Sequence, residues 1–320
     1  MNIFLWHVHG AWTTSFVQGR HRYLVPVLPD RGPDGLGRAR TYPWPDTVVE
    51  VTPEGAAEAE VDVVVLQRPR ELNGLAAEWL GGRRPGRDIP AVYVEHDAPR
   101  GPVADMGHLA ADRDDVVVVH VTHFNSLFWR TGRTLTVVIE HGVVDPGHRY
   151  NGELARAAVT VNEPRRRGRV TGTDLLPYLG QAVPLDLFGI DADQLAGDLG
   201  PRGVCMGDLP QARLHEEMAR RRVYLHPVRW TSLGLSLIEA MHLGMPVVAL
   251  ATTEVPEAVP PEAGIVSNRL DTLASGLRRL ASDPEEAFLM GKAGRAAALA
   301  RYGLGRFLAQ WDDLLREVTR

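Results

Sequence analysis

The stretch RWTSLGLSLIEAMHLGMPVVAL, residues 229–250, contains an apolar helical segment that leads directly into a strand-like run. Residues 235–243 are apolar at helical spacing and lie between two glycines, which predicts a helix with defined ends. The β-branched run at 246–250 is typical of a parallel strand buried on both faces. A helix followed at once by such a strand is the unit of α/β folds, so this stretch indicates the fold class. One acid, Glu239, interrupts the apolar helix.

Apolar, β-branched runs recur along the whole chain and alternate with helical segments. The strand-like runs fall at 3–8, 23–28, 61–66, 91–95, 116–122, 136–139, 157–161, 185–189, 203–206, 223–226, 246–250 and 263–266. The helical segments fall at 72–80, 126–130, 211–221, 235–243, 270–281, 285–300 and 304–318. Two successive sets of alternating strands and helices predict two doubly wound α/β domains.

The turn-rich segment DPGHRYNGEL, residues 145–154, is the predicted junction between these domains. We therefore expect an N-terminal domain over 1–150, a C-terminal domain over 151–303 and a final helix within 304–320. A Gly-, Pro- and Arg-rich stretch at 28–46 is predicted to be a long loop. Ligands of open α/β sheets bind at the carboxyl ends of the strands, so the expected site is a cleft between the two domains.

The composition is that of a globular protein without a basic excess. Of the 320 residues, 44% are apolar and 23% are charged, and the formal net charge is −5. Nucleic-acid binders usually carry a basic excess, so nucleic acid is not an expected partner. Cys205 is the only cysteine, which excludes an internal disulfide and fits a reducing compartment. With no signal-peptide pattern and no apolar run of transmembrane length, the sequence predicts a cytoplasmic protein.

Two polar features stand out in the second half of the chain. Glu239 is either an exposed helix acid or a buried carboxylate that is hydrogen-bonded by ligand hydroxyls, such as a ribose diol. The segment NEPRRRGRVTGTD, residues 162–174, follows a predicted strand and is either a solvated basic loop or a phosphate-binding loop. Because Lys292 is the only lysine, a cation that binds phosphate here should be an arginine.

The segment TSLGLSLIEAMHLGMPVVALATTEVPEAV, residues 231–259, resembles the retaining GT-B glycosyltransferases of the large family numbered four. That family has a signature of Glu, seven residues and Glu, followed by Ala-Met and a Gly-x-Pro-Val-Val strand. Residues 239–241, Gly244 and 246–248 match it, whereas Thr231 stands at the position of the first Glu. The resemblance implies the GT-B fold, in which two Rossmann-like domains face each other across a cleft and the final helix crosses back to the first domain.

The same resemblance implies a nucleotide-sugar donor site in the second domain. Glu239 would hold the nucleotide ribose, Thr231 and the backbone of the next two residues would contact the donor sugar, and arginines would hold the diphosphate. The backbone that follows the strand at 203–206 would flank the base. The implied donor-binding residues are Arg165, Arg166, Arg167, Gly207, Ser232, Leu233, Gly234, Leu235 and Glu239.

The resemblance is weaker in the first domain, which would provide the acceptor side. His96 follows the run AVYVE and would face the reacting region, so that His96, Thr231 and Glu239 are the catalytic candidates. Glu140 and His141 follow the run at 136–139, and Gly10 and Trp12 follow the first strand. Trp12 is either a platform that stacks on a sugar or an ordinary packing residue.

The function implied is a retaining glycosyltransferase. It would move a sugar from a nucleotide-diphosphate sugar, its co-substrate, to the hydroxyl of a small-molecule, glycan or lipid-linked acceptor, without a resident cofactor or metal. No metal-ligand spacing such as HExxH occurs, and peripheral membrane contact stays open. Two alternatives remain: a nucleotide-sugar-binding protein without transferase activity, suggested by Thr231, and a nucleotide-sugar epimerase on the same fold.

Overall fold

The structure, a computed structural model, describes residues 1–320 and divides them into two compact units. The first unit comprises Met1–Val144 together with Leu304–Arg320, and the second comprises Asp145–Gly303. Each unit contains one parallel sheet, which confirms the doubly wound α/β class. No helix combines the length and the hydropathy that are needed to span a bilayer.

The sheet of the first unit has seven strands in the order β3-β2-β1-β4-β5-β6-β7. Their bounds are β1 Asn2–Leu5, β2 Arg22–Pro26, β3 Val48–Val51, β4 Val63–Leu66, β5 Ala91–Glu95, β6 Val117–His120 and β7 Thr136–Val138. The strands β2 and β3 extend to one side of β1, and β4 to β7 extend to the other. The topological switch point, where ligands of such sheets bind, is therefore at the carboxyl ends of β1 and β4.

The helices of the first unit are short, except for the C-terminal one. They are α1 Gly10–Phe16, α2 Pro53–Glu58, α3 Ala76–Trp79, α4 His123–Phe128 and the C-terminal helix Leu304–Val318, with a π-helical turn at Glu71–Leu75 and a 3-10 turn at Val103–Asp105. The C-terminal helix packs into an aromatic cluster: Trp311 meets Phe16 at 4.9 Å and Trp12 stacks on Phe16 at 4.9 Å between ring centroids. A Cβ at Gly142 would lie 2.3 Å from the Cβ of Phe307, so this glycine lets the helix dock.

Several elements of the first unit differ from the sequence prediction, among them α1, α2 and β3. Residues 10–16 form α1, which was not predicted, because Trp12 and Phe16, four residues apart, are both buried against the C-terminal helix. The strand β3 was not predicted. It follows the loop 28–46, which is held in place by a 2.9 Å ion pair between Arg31 and Glu50 and by a 2.8 Å hydrogen bond from the Trp44 indole to Thr14.

The sheet of the second unit has six strands in the order β10-β9-β8-β11-β12-β13. Their bounds are β8 Leu154–Thr160, β9 Leu185–Phe188, β10 Val204–Gly207, β11 Arg221–His226, β12 Val247–Leu250 and β13 Gly264–Ser267. The order reverses between β8 and β11, so the loops that follow these two strands flank the switch point.

The helices of the second unit include the helix of the opening stretch. They are α5 Pro164–Arg167, α6 Leu176–Leu179, α7 Gln211–Arg220, α8 Leu235–Leu243, α9 Val255–Ala258, α10 Leu270–Ser282 and α11 Pro284–Tyr302, with 3-10 turns at Gly168–Thr171, Thr173–Leu175 and Ala192–Leu195. The predicted helix 235–243 is confirmed. It ends at Gly244, whose φ of 89° is left-handed, and a Cβ at Gly291 of α11 would lie 2.0 Å from the Gly244 carbonyl oxygen.

Candidate functional site

Glu239 is a buried carboxylate on α8, the helix that follows β11 at the switch point of the second sheet. Its residue is only 7% exposed. Gln211 donates a hydrogen bond from Nε2 to Glu239 Oε1 at 3.0 Å, and His215 Nε2 lies 3.8 Å from Oε2. A buried carboxylate is costly unless its oxygens are hydrogen-bonded, and one neutral amide leaves much of this demand unmet. The site is therefore suited to accept hydrogen bonds from a ligand.

The helix α7 supplies both neighbours of Glu239. Gln211 and His215 are four residues apart and so lie on one face of α7. His215 is 4% exposed, and its Nε2 has no hydrogen-bond partner within the protein. The sequence prediction missed this pair. The signal was available, because Gln211 and His215 are four residues apart and Arg213 and Glu216 lie on the other, exposed side of the helix.

Two buried side chains of β11, Tyr224 and His226, lie against the start of α8. The Tyr224 hydroxyl donates to Ser236 Oγ at 2.9 Å, and burial raises the pKa of Tyr224, so the phenol stays protonated. Burial lowers the pKa of His226 to about 4, so its imidazole is neutral near pH 7. A Cβ at Gly234 would lie 2.5 Å from His226 Cε1, which explains the glycine at this position.

The predicted sugar-contacting residues lie in the loop between β11 and α8. Ser232 and Leu233 are buried, and Thr231 is half-buried. Thr252 Oγ1, which follows β12, donates to the Val228 carbonyl oxygen at 2.9 Å and fixes the start of the loop. The structure thus places residues 231–235 in the connection from β11 to the start of α8, and Glu239 on the second turn of that helix.

The loop after β8, residues 162–173, carries the predicted phosphate-binding arginines. Arg165 pairs with Asp198 at 2.6 Å, and Arg166 pairs with Glu163 at 2.7 Å. Both side chains are exposed, and Arg167 is half-buried. The phosphate role of these three residues stays a prediction.

The same loop packs tightly against the loop after β11. A Cβ at Gly172 would lie 1.7 Å from the Pro227 carbonyl oxygen, and Gly172 has a left-handed φ of 71°. The Arg229 amide donates to the Val170 carbonyl oxygen at 2.9 Å. These contacts join the two loops that flank the switch point into one structure.

Gly207 ends β10, at the edge of the second sheet. Its φ is 73°, and a Cβ there would meet nothing within 4 Å, so the surface beside it is open. Its carbonyl oxygen accepts a 2.9 Å hydrogen bond from the Gly189 amide, which follows β9. Gly207 therefore lies two strands away from the loop after β8.

In the first unit, His96 follows β5 and is held by Gln67, which follows β4. Gln67 Nε2 donates to the Trp6 carbonyl oxygen at 2.8 Å, so its Oε1 is the atom 3.1 Å from His96 Nε2. An amide oxygen only accepts, so His96 Nε2 must carry the proton. His96 Nδ1 is consequently an unprotonated acceptor, a detail that sequence reasoning missed.

Two more histidines neighbour His96. The His9 ring lies 4.0 Å from the His96 ring between centroids. His141 is 3% exposed, and neither of its ring nitrogens has a partner within the protein. Burial, with the nearby charge of His9, holds the pKa of His96 well below 6.5, and burial lowers the pKa of His141 to about 3. The histidines at 96 and 141 are therefore neutral near pH 7.

The remaining acceptor-side candidates are placed as follows. Trp12 is fully buried, stacked on Phe16 and in a T-shaped contact with His96 at 5.0 Å between ring centroids, so it packs and offers no open platform. A Cβ at Gly10 would lie 3.2 Å from the Tyr42 ring. The carbonyl oxygens of Glu140 and His141 accept hydrogen bonds from Arg306 at 3.0 and 2.8 Å.

No group of three or more His, Cys, Asp or Glu side chains is placed to hold a metal ion.

Comparison with known proteins shows a similarity to one family within the second unit. Residues 180–283 match the glycosyl transferases group 1 family. No curated protein matches the chain.

Solved structures match almost the whole chain at low sequence identity. Sucrose-phosphate synthase from Thermosynechococcus elongatus has a TM-score of 0.75 at 17% identity, with 99% of each chain covered. Anabaena Alr3699/HepE in complex with UDP-glucose has a TM-score of 0.75 at 18% identity, covering 99% of this chain and 100% of that one. A glycosyltransferase from Rickettsia africae has a TM-score of 0.69 at 13% identity, covering 100% and 98%.

At these identities the solved structures establish the fold, and the family match covers the centre of the second unit. The resemblance seen around Glu239 is confirmed at this level. Residues 180–283 match the glycosyl transferases group 1 family, and the chain has the GT-B fold.

Proposed function

We propose that this protein is a retaining glycosyltransferase that moves a sugar from a nucleotide-diphosphate sugar to an acceptor hydroxyl. The observation that carries the proposal is the Glu239 carboxylate. It is buried at the switch point of the second sheet, within the residues that match the glycosyl transferases group 1 family, and Gln211 donates a hydrogen bond to it. A ribose diol supplies the hydrogen-bond donors that such a carboxylate requires.

The loop before α8 completes the proposed donor site. The Thr231 hydroxyl and the backbone of Ser232 and Leu233 contact the sugar. The α8 helix begins at Leu235 without a side-chain cap, so its first N–H groups are directed at an anion such as the β-phosphate. The base lies against Gly207, where the surface is open.

Arginines stabilise the charge that develops on the departing diphosphate in this proposal. The candidates are Arg165, Arg166 and Arg167 in the loop after β8. Guanidinium groups bind phosphate bidentately, so we propose that the reaction needs no metal ion. Activity that survives dialysis against a chelator would support this point, and loss that a divalent cation restores would contradict it.

We assign the acceptor side to the first unit, around His96. Its neutral ring presents Nδ1 as a hydrogen-bond acceptor for a hydroxyl. No protein base is assigned: in this proposal the departing phosphate takes the acceptor proton. The acceptor belongs to the class of small molecules, glycans or lipid-linked glycans, and a cytoplasmic location is proposed from the cysteine content.

The solved structures suggest the first ligands to test. Anabaena HepE has been solved in complex with UDP, with UDP and glucose, and with UDP-glucose. We therefore propose a thermal-shift panel of UDP, GDP, ADP, TDP and their glucose conjugates. A ligand at 100 times its dissociation constant adds about 2.7 kcal/mol of stability, which shifts the melting temperature by a few degrees.

A product assay then separates the three candidate functions. The protein is incubated with the bound nucleotide sugar and a set of hydroxyl acceptors, and the products are examined by NMR. A glycoside with the anomeric configuration of the donor supports a retaining transferase. Binding without transfer to any acceptor supports the nucleotide-sugar-binding alternative, and a free epimerised sugar supports the epimerase.

A further inference from the structure

Arg229 connects the two loops that flank the switch point of the second sheet. It follows β11, and its guanidinium reaches across to the loop after β8. Nη1 donates to the Arg169 carbonyl oxygen at 2.9 Å, and the backbone amide of Arg229 donates to the Val170 carbonyl oxygen at 2.9 Å. Both the backbone and the guanidinium of Arg229 are therefore held by the loop after β8, in the region where ligands of such sheets bind.

The fixed position of Arg229 distinguishes it from Arg165, Arg166 and Arg169 in the loop 162–173. The exposed fractions of the side chains of Arg165, Arg166 and Arg169 are 58%, 69% and 77%, whereas that of Arg229 is 25%. A partly buried cation of fixed geometry binds an anion more strongly than a solvated one, since less side-chain entropy is lost and screening is weaker.

Asp174 holds the Arg229 guanidinium in this structure. The carboxylate accepts both ends of the fork, with Nη2 to Oδ2 at 2.9 Å, and it also accepts from Arg169 Nη1 at 3.0 Å. The hydrogen bonds from Arg229 lower the pKa of Asp174, so the pair is ionised near pH 7. Arg229 is thus occupied by a carboxylate, whose two oxygens have the same bidentate geometry as a phosphate.

We propose that Arg229 is the principal diphosphate-binding cation, and that Asp174 occupies its guanidinium until a nucleotide diphosphate displaces the carboxylate. This inference rests on the proposed function and names a residue of the same site. Thr171 in the loop after β8 offers only a hydroxyl, which donates to the Gly168 carbonyl oxygen at 2.8 Å. The guanidinium of Arg229, bound to the Arg169 carbonyl oxygen of that loop, supplies a positive charge there.

The test compares UDP with uridine, because only UDP carries the diphosphate. Isothermal titration calorimetry, with competition for the weaker ligand, gives the ratio of the two dissociation constants. In Arg229→Gln, UDP binding weakens about tenfold or more, and uridine binding does not change, so the ratio falls. An unchanged ratio in this variant overturns the proposal. Arg229→Lys keeps the charge without the fork and gives an intermediate ratio.

Arg295 provides a matched control. It forms a bidentate pair with Asp145 at 2.8 Å, contacts the His242 carbonyl oxygen and is 18% exposed on its side chain, in the same unit. Arg295→Gln therefore removes a comparable ion pair away from the proposed site, and its UDP-to-uridine ratio stays at the wild-type value. A fall of the same size in this control assigns the effect to general destabilisation and overturns the role of Arg229.

The competition between Asp174 and the diphosphate for the Arg229 guanidinium is tested by a separate variant. In Asp174→Asn, Arg229 no longer has a charged partner to release, so UDP binds several-fold more tightly and uridine binding does not change. Weaker UDP binding in this variant overturns the displacement.

If none of UDP, GDP, ADP and TDP binds the wild-type protein, the proposed function itself fails. Binding of one of them with no dependence on Arg229 overturns only this inference.

Discussion

Gln211 and Glu239 are joined by a 3.0 Å hydrogen bond from the amide Nε2 to the carboxylate Oε1, which links the first residue of α7 to the middle of α8. The bond fixes the orientation of the carboxylate, because one oxygen is held by the amide. The other oxygen has only His215 Nε2 nearby, at 3.8 Å. The carboxylate of Glu239 is therefore oriented by α7, and its second oxygen can accept a hydrogen bond from a ligand.

The first prediction concerns Glu239→Gln. An amide cannot accept charge-assisted hydrogen bonds from a ribose diol, and such bonds contribute about 1.5–3 kcal/mol. We expect the dissociation constant for UDP to rise about 10- to 150-fold, measured by calorimetry. Glu216→Gln, on the exposed face of α7, is the control and should bind UDP as the wild type does. An unchanged dissociation constant in Glu239→Gln would remove this residue from the site.

The second prediction concerns the protonation of His96. In Gln67→Glu, a carboxylate would face His96 Nε2 across the present 3.1 Å hydrogen bond and stabilise the imidazolium. We therefore expect the pKa of His96 to rise from its present position well below 6.5, as followed by ¹H–¹⁵N NMR from pH 5 to 8.

The same spectra report the tautomer of His96. The wild type should show the Nε2–H form, and Gln67→Leu should lose this preference because the accepting oxygen is gone. His108, whose Nε2 lies 3.1 Å from Glu95 and whose Nδ1 accepts from the Ala110 amide, is an internal reference with the same tautomer. An Nδ1–H signal for wild-type His96 would contradict the hydrogen-bond assignment.

The third prediction compares two glycines in the loop after β8. Gly172 is in the left-handed αL region (φ 71°, ψ 12°), and Gly168 has φ 56° and ψ −137°, so an alanine at either is strained by roughly 1–3 kcal/mol. Only at Gly172 would the new Cβ meet backbone, 1.7 Å from the Pro227 carbonyl oxygen. In urea unfolding, we expect Gly172→Ala to lose about 1–3 kcal/mol more than Gly168→Ala. Equal losses would show that the loops do not pack this closely.

The fourth prediction concerns pH and His226. Burial lowers its pKa in the folded protein to about 4, below the unfolded value of 6.5. The unfolded chain therefore takes up the proton first, so the contribution to stability is complete above pH 6.5 and is lost as the pH falls towards 4. We expect His226→Gln to flatten the dependence of the unfolding free energy on pH in this window, by at most about 1.4 kcal/mol per pH unit.

The control for this measurement is His123→Gln, since His123 is exposed and should leave the pH dependence unchanged. A wild-type and a His226→Gln protein with parallel pH profiles would show that His226 does not stay neutral in the folded state.

The fifth prediction concerns Thr231→Glu. If the Thr231 hydroxyl contacts the donor sugar, an acid at this position must change which sugar is accepted. We expect the ratio of the dissociation constants for UDP-glucose and UDP to change, while Glu239 still binds the nucleotide. Identical donor profiles across a panel of UDP-sugars would show that Thr231 lies outside the sugar site.

The second unit was more predictable from the sequence than the first, for a physical reason. The bounds of α8 follow from a local pattern, an apolar periodic run between glycines, and the structure places the helix at Leu235–Leu243 as expected. The helix α1 was missed because its stability depends on Trp311, almost 300 residues away in the sequence. A local window contains no signal for such a tertiary contact.

Much of the candidate site could not be predicted from the sequence, for a similar reason. Gln67 acts on His96 because β4 and β5 are neighbours and their carboxyl ends meet, a relation that requires the strand order and register. Arg229 and Asp174 are 55 residues apart and meet only because β8 and β11 are adjacent. Residue types could suggest phosphate binding, but they could not show which arginine is held in place.

The docking of Leu304–Val318 into the aromatic cluster of the first unit has a consequence for biosynthesis. The first unit is discontinuous in the chain, and the whole of Asp145–Gly303 is translated between its two parts. On the ribosome, Trp12 and Phe16 therefore lack Phe307 and Trp311 until the second unit has emerged and can already fold. The nascent first unit exposes an apolar groove for that interval, which makes it a natural substrate for chaperones during synthesis.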